Sequence, residues 1–312
     1  MSDQIKQRQY TYSEIFDSIQ GEGMYTGQWT LWLRLFLCNL QCDGFGQLEP
    51  TKPDSWELPY KDFDVSGIER VEDLPVWDKG CDSSYTWSKK YKHLMGKKTA
   101  KEIVDEIKNV ASNTYNPLGI FRHPVSGQTA HMCFTGGEPL MLHGQDAFVE
   151  MHELWKRADN LPSSVTFETN GTQKLKDSFV EYVSNWKEFD THLFFSCSPK
   201  LWTVAGEKPE KAIIPEVVAQ YNDLSDKVNV TRPKGQLKFV VGHRKEQWEE
   251  LDEVIYLYRK EGIDWPVYIM PVGATLEEQE IGAGKVAEMA FKRGYNVSGR
   301  LHCYLFGNAI GT

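Results

Sequence analysis

Six short apolar runs, each followed by a stretch of helical periodicity, constrain this chain more than any other feature. The runs span residues 30–37, 130–135, 165–168, 192–197, 236–241 and 266–270. Helical patterns follow over 97–112, 145–158, 177–186, 213–221 and 244–260, and a last one ends near Gly294. In the first helix Ile103, Val104, Ile107, Val110 and Ala111 recur at helical spacing behind Thr99-x-x-Glu102, a capping box, and Thr275-x-x-Glu278 opens the last helix in the same way. Strands separated by helices pair in parallel, because the crossover carries the chain back to the same end of the sheet. The expectation is a parallel α/β sheet.

The polar motifs fall at one edge of that sheet. Cys38, Thr135-Gly136-Gly137-Glu138-Pro139, Glu168-Thr169-Asn170-Gly171, Ser198-Pro199-Lys200 and Met270-Pro271 each come directly after a strand. In parallel α/β proteins that carboxyl edge is where active sites are built. Two segments break the alternation. Residues 43–80 carry ten acidic and four basic side chains with Pro50, Pro53, Pro59 and Pro75, so they are expected to form an irregular excursion within one domain spanning 1–312. Residues 114–128 are a second long loop. Ahead of the first strand, Gly21 and Gly23 bracket Glu22 in Ile19-Gln20-Gly21-Glu22-Gly23, so a sharp turn can present Gln20 and Glu22 together, or simply be a solvated turn.

Composition narrows the function. A net charge of −9 argues against a sequence-independent grip on nucleic acid, which depends on Lys and Arg neutralising phosphates. The start of the chain has no apolar signal core, and no run of eighteen apolar residues occurs, so a cytoplasmic protein without a membrane span is expected. Six cysteines in 312 residues are too few for a secreted disulfide scaffold.

Those thiols carry the chemistry. Cys38 and Cys42 stand four apart just past a strand, and Cys81 returns after thirty-eight residues in Gly80-Cys81-Asp82-Ser83-Ser84. Buried hydrophobic packing and a zinc site are open alternatives, although no further Cys or His pair completes four zinc ligands at familiar spacing. Three thiolates can instead hold a 4Fe–4S cluster with one iron left open, to which the amino and carboxylate groups of S-adenosylmethionine can bind. Gly136 and Gly137 would let backbone approach that ligand, and Glu138 could accept hydrogen bonds from its amino group. Ser198 and Lys200 could steady a carboxylate, and Glu168 or Asn170 a ribose.

Taken in order, Gln20-Gly21-Glu22-Gly23, Arg34-Leu35, Cys38-Asn39-Leu40-Gln41-Cys42, Cys81-Asp82-Ser83, Thr135-Gly136-Gly137-Glu138-Pro139, Glu168-Thr169-Asn170-Gly171, Ser198-Pro199-Lys200 and Leu301-His302 resemble the motifs of the 7-carboxy-7-deazaguanine synthase family of radical S-adenosylmethionine enzymes. The resemblance spans nearly the whole chain and implies a partial (β/α)6 TIM-like barrel. It also implies a lyase of the 7-deazaguanine (queuosine-type) pathway, which contracts the ring of 6-carboxy-5,6,7,8-tetrahydropterin and releases ammonia. Mg²⁺, an electron donor such as flavodoxin or ferredoxin, and a homodimer come with it.

Residue by residue, the resemblance puts Cys38, Cys42 and Cys81 on the cluster and the Ser83 hydroxyl on Mg²⁺. It puts Gly80, Cys81, Asp82, Gly137, Glu138, Glu168, Ser198, Pro199 and Lys200 around the cofactor. Ile19, Gln20, Gly21, Glu22, Arg34, Thr135 and His302 would line the pterin site, together with the carboxylate of Thr312. A guanidinium at Arg34 suits a substrate carboxylate, or else a salt bridge within the core. The family's spacing is Cys-x3-Cys-x2-Cys; here Phe45 occupies the third position, and the Cys-Asp-hydroxyl triplet at 81–83 makes 43–80 an insertion. Cys133, Cys197 and Cys303 are expected to be packing residues. A glycyl-radical activase acting on a protein partner, or an inactive barrel used for docking, are the competing readings.

Overall fold

The computed structural model describes residues 7–188, 191–229, 231–307 and 309–311. Among them, nine strands hydrogen-bond into one sheet in the spatial order β3-β1-β2-β4-β5-β6-β7-β8-β9. They are β1 (Gln9–Ile19), β2 (Trp29–Leu35), β3 (Gly96–Thr99), β4 (His131–Gly136), β5 (Ser164–Thr169), β6 (His192–Cys197), β7 (Gly235–Val241), β8 (Val267–Pro271) and β9 (Asn296–Val297). From β2 through β4 to β9 every neighbouring pair is parallel. The six runs read as strands are β2 and β4 to β8. The sequence reading omits β9 and the antiparallel strands β1 and β3 beyond β2, and the sheet does not close on itself.

Helices Ala100–Ala111, Leu142–Arg157, Asp177–Ser184, Pro215–Val228, Lys245–Lys260 and Leu276–Phe291 connect the strands. Both expected capping boxes form: Thr99 accepts from the Glu102 N–H and Thr275 from the Glu278 N–H, while each Glu reaches back to its cap. The fourth helix runs seven residues past the expected 221 because Leu224 and Ser225 continue its buried face.

Alternation along each strand decides which side faces what. Leu33, Phe134, Phe167, Phe195, Phe239 and Ile269 point outward and are buried beneath the helices. Phe134, Phe167 and Phe195 stack in sequence across the sheet at 5.3 and 5.8 Å. Each such side chain contributes roughly 1.5–3 kcal/mol by leaving water, so a one-residue slip of any strand is strongly disfavoured. The opposite face is polar. Arg34, Thr135, Glu168, Ser196, Lys238 and Met270, one from each long parallel strand, line a single cavity of about 470 Å³. Six strands can share one cavity only if the sheet curls around it, which makes the architecture a partial barrel.

The turn after β1 closes the cavity from below. Tyr25 meets the rings of His131 and Phe194 edge-on at 4.8 Å, the Gly23 N–H donates to Ser298 Oγ at 2.7 Å and the Met24 N–H to Gln236 Oε1 at 2.9 Å.

Residues 43–80 are irregular, as expected, with three helical turns of three or four residues at Pro53–Ser55, Pro59–Asp62 and Val71–Asp73. They are nevertheless tightly organised. Tyr60, Val71, Leu74 and Trp77 form a small apolar core with Tyr85 and Tyr91. Buried Asp43 accepts from the Tyr60 hydroxyl at 2.9 Å and from Lys61 at 3.3 Å. The Gly80 N–H donates to the Phe45 carbonyl at 2.8 Å, so the excursion ends almost where it began. Among the described residues no helix is long and apolar enough to cross a membrane.

Candidate active site

Because the ends of the excursion meet, cysteines distant in sequence converge. Cys38, Cys42 and Cys81 all line the cavity, and they pack around Leu40, Ala205 and Ala212. The first two sit on a strained loop: Leu37 and Cys42 adopt φ values of 94° and 56°, a region that side chains other than glycine rarely occupy. Several contacts hold it there. The Gln41 and Cys42 N–H groups donate to Glu207 Oε1 at 2.6 and 2.7 Å, the Leu37 N–H donates to the Thr86 carbonyl at 2.7 Å, and the Glu138 N–H to the Leu37 carbonyl at 2.8 Å. A backbone constrained from three sides presents its thiols in a fixed direction, which a metal centre needs.

Burial pushes the Cys38 and Cys81 thiols up to about 12 and raises Cys42 well above its ordinary value. As free thiols they are therefore protonated at neutral pH, and any metal they bind must displace those protons. Among the described residues no three His, Cys, Asp or Glu side chains gather tightly enough for one metal ion. A four-iron cube seats each thiolate on a different iron and so requires wider spacing than that. Three soft donors around one cavity fit such a cluster. The Leu40 N–H at 3.4 Å from Cys38 Sγ would supply a hydrogen bond to a cluster held there.

Beside the thiols lie Gly136 and Gly137, Ser198 and Lys200. A Cβ on Gly137 would stand 2.1 Å from the Leu37 carbonyl, so only glycine lets the β4 turn approach the thiol loop. Lys200 donates to Ser198 Oγ at 2.9 Å, and Asp82, Gly80 and Asn170 border the same space. Two of the residues read as cofactor residues stand back from the lining. Pro199 does not line the cavity. Glu138, fully buried, is also absent from its lining: its carboxylate accepts from the Leu140 and Asn170 N–H groups at 2.9 and 2.7 Å and from Thr169 Oγ1 at 2.8 Å. Its side chain thus braces the β4 turn against the β5 turn. Burial pushes this carboxyl up to about 7 despite those three donors.

The other half of the cavity is ionic. Ile19, Gln20, Gly21, Glu22, Arg34, Thr135 and His302, read from the sequence as substrate residues, all line it, and so do Glu168, read as a cofactor residue, and Ser83, whose hydroxyl donates to Asp82 Oδ1 at 3.1 Å. Glu168 accepts from Gln20 Nε2 at 3.2 Å and from Thr135 Oγ1 at 3.1 Å. Arg34 donates to Glu14 at 2.5 Å, and the Tyr85 hydroxyl donates to the same oxygen at 2.7 Å. Both roles weighed for Arg34 are therefore compatible: it pairs within the fold and still borders the cavity. Thr312 lies outside the described residues.

Sequence reading misses the two strongest charges here. Lys238 donates to Glu22 and lies 3.9 Å from Glu168; Arg300 reaches Glu22 at 3.1 Å and Asp82 at 3.0 Å. Burial alone would raise the Glu22 carboxyl, but Lys238, Arg300 and His302 outweigh it and hold it well below the usual carboxylate range. A lone Lys in the apolar run Leu237-Lys238-Phe239 was the available signal. Glu207, whose carboxylate holds the Gln41 and Cys42 N–H groups, carries no comparable mark, whereas Met270-Pro271 stands out as a motif after a strand.

Gly21 shows how tightly this half is built. A Cβ there would come within 1.8 Å of His302 Nδ1, and the Leu301 N–H donates to the Gly21 carbonyl at 2.9 Å. Gly21→Ala is expected to displace His302 at a cost of about 1–3 kcal/mol, read as a lower melting temperature with bound iron unchanged.

No family model matches the chain. Curated 7-carboxy-7-deazaguanine synthases are similar to it. That of Rhodopirellula baltica is 26% identical over 309 residues, covering 96% of this chain and 88% of the relative. That of Pyrobaculum aerophilum is 24% identical over 299 residues, covering 96% and 95%. That of Bacillus subtilis is 27% identical over 160 residues, covering 51% and 43%. A crystal structure of QueE from Escherichia coli superposes with a TM-score of 0.48 at 19% identity, covering 93% of both chains. The resemblance carried by the ordered motifs thus extends along nearly the entire sequence.

Proposed function

We propose that this chain is a radical S-adenosylmethionine lyase that converts 6-carboxy-5,6,7,8-tetrahydropterin to 7-carboxy-7-deazaguanine and ammonia. The observation that carries the reading is that three thiols open onto the same cavity as the ionic set Gln20, Glu22, Glu168, Lys238 and Arg300. Cys38, Cys42 and Cys81 would hold the cluster. When bound, it supplies the electron that splits S-adenosylmethionine, giving the adenosyl radical that takes a hydrogen atom from the substrate ring.

The protein's own residues then bind and orient. The Gly136-Gly137 backbone, Ser198 and Lys200 would hold the methionine end of S-adenosylmethionine beside the thiols. Glu22 and Glu168 offer acceptors to the amino and ring N–H groups of a pterin, held in direction by Lys238, Arg300, Gln20 and Thr135. Arg34 offers donors to the substrate carboxylate, and Ser83 an oxygen to Mg²⁺, which prefers oxygen ligands. Phe16, Trp32 and Trp87 add apolar walls to the cavity. The pterin, an external one-electron donor, a homodimer and a cytoplasmic setting belong to the same reading.

The test is anaerobic reconstitution with iron and sulfide, then incubation with S-adenosylmethionine, a reductant and the carboxytetrahydropterin. Deoxyadenosine, ammonia and 7-carboxy-7-deazaguanine are expected together. Deoxyadenosine without the deazaguanine would favour an activase or another substrate, and neither product would defeat the proposal. Within this reading Arg34→Lys retains the charge opposite Glu14 and loses the planar fork. It is expected to raise KM about tenfold while bound iron and kcat change little.

A further inference from the structure

The excursion supplies more than a bridge between Cys42 and Cys81. Gly46, Val76, Trp77 and Asp78 form one stretch of the cavity wall, and Ala309, Ile310 and Gly311 of the C-terminal tail form another. The two stretches touch. Ile310 packs against the small core that Tyr60, Val71, Leu74 and Trp77 of the excursion share with Tyr85 and Tyr91. Gly311 passes between sheet and excursion: a Cβ there would lie 3.6 Å from Glu14 Oε2 and 3.9 Å from Glu72 Cγ. The helix before the tail, Leu301–Phe306, ends at Gly307 in the left-handed conformation, which turns the chain out of its helical path.

We infer that the excursion seats the C-terminal tail, and that Ile310 is the positioning residue through which the two form one wall of the cavity. The apolar contact is the only kind of interaction an isoleucine can bring. Residues 309–311 belong to no helix or strand, so their position depends on contacts of this kind. The functional consequence rests on the proposed radical chemistry. A carbon radical that meets a thiol of the reductant mixture takes its hydrogen atom, giving deoxyadenosine and a thiyl radical, and the pterin is left unreacted. A missing wall would therefore uncouple deoxyadenosine formation from product.

Two variants and two readouts test this. In the protein as purified, digestion with carboxypeptidase Y followed by intact mass should trim Ile310→Asp at least about tenfold faster than wild type, since removing an apolar anchor raises the open population by that order. Ile310→Val should remain close to wild type. Replacing 46–79 by a two-residue Asn-Gly link reproduces the Phe45-to-Gly80 hydrogen bond as a β-turn, and it should expose the tail to the same degree. Should that deletion fail to fold, Ile310→Asp decides by itself. In the reconstituted enzyme, Ile310→Asp should raise the ratio of deoxyadenosine to deazaguanine at least about threefold with bound iron unchanged. Equal trimming rates in wild type and Ile310→Asp would overturn the seat, and faster trimming with an unchanged ratio would overturn its role in coupling. A wild-type protein that makes no deoxyadenosine would refute the radical chemistry, while the trimming rates would still test the seat.

Discussion

Cys81→Ala is expected to lose its iron–sulfur cluster as completely as Cys38→Ala. Bound iron after reconstitution should fall from about four per chain to near background, and product formation by at least about a thousandfold. The expectation is stringent because Cys81 is far from the other two in sequence and is brought to them by tertiary contacts, among them the Phe45–Gly80 clasp and the Leu37–Thr86 hydrogen bond. Three thiolates leave one iron open for S-adenosylmethionine; two leave the cube under-ligated and labile. Cys197→Ala serves as the control. Cys197 is buried on the outward face of β6, against Gly171, and a cluster ligand there would have to face the wrong side of the sheet. A Cys81→Ala protein with the full charge-transfer absorbance of wild type would move the third ligand elsewhere, and a Cys197→Ala protein without it would do the same.

The sheet was legible in the sequence wherever burial on one face was nearly uniform. His192–Cys197 is fully buried and matches the expected strand at both ends. The helix caps at Thr99 and Thr275 were equally plain, because a capping box is a local pattern with a local cause. β1 was hidden for the opposite reason. Its sequence, Gln9 to Ile19, carries Ser13, Glu14, Asp17 and Ser18, and it reads as a strand only once the buried Glu14 is matched to Arg34 and Tyr85, twenty and seventy-one residues away. Such a pairing is tertiary and leaves no periodic trace.

The same division runs through the site. Motif residues on turns were found because turns demand glycine and small polar side chains at fixed places, as at Gly136-Gly137 and Gln20-Gly21. Lys238 and Arg300 obey no such local rule. Each is tolerated in its buried position because carboxylates stand opposite: Glu22, more than two hundred residues earlier in the chain, for both, with Glu168 also near Lys238 and Asp82 on Arg300. Glu138 differs again: its motif position points to a ligand, and the N–H groups of Leu140 and Asn170 also tie its carboxylate to the fold.

Lys238→Met tests that buried charge set, and its expected effect is large. Removing one partner of a buried ion pair leaves the other charge uncompensated, at a cost of about 3–5 kcal/mol. Glu22 would retain Arg300 and His302 on the C-terminal segment, but also the unfavourable neighbours Glu168 on β5 and Asp82 beside the thiols. In the wild-type protein the Glu22 carboxyl is held below its ordinary range, so the pair stabilises the fold fully above the unfolded carboxyl value of about 4.3 and progressively less as pH falls below it. The stability gap between wild type and Lys238→Met should therefore be constant above about pH 5 and should shrink in more acidic solution. Activity should report the same change from the other side. With burial less opposed, the Glu22 carboxyl rises, and the acid limb of kcat/KM moves upward by at least about one pH unit; Lys238→Arg, which restores the charge, should move it back. Thermal melts across pH 3–8 and a kcat/KM profile would carry both readings. Matching acid limbs in wild type and Lys238→Met would mean that Lys238 does not set the ionisation of Glu22.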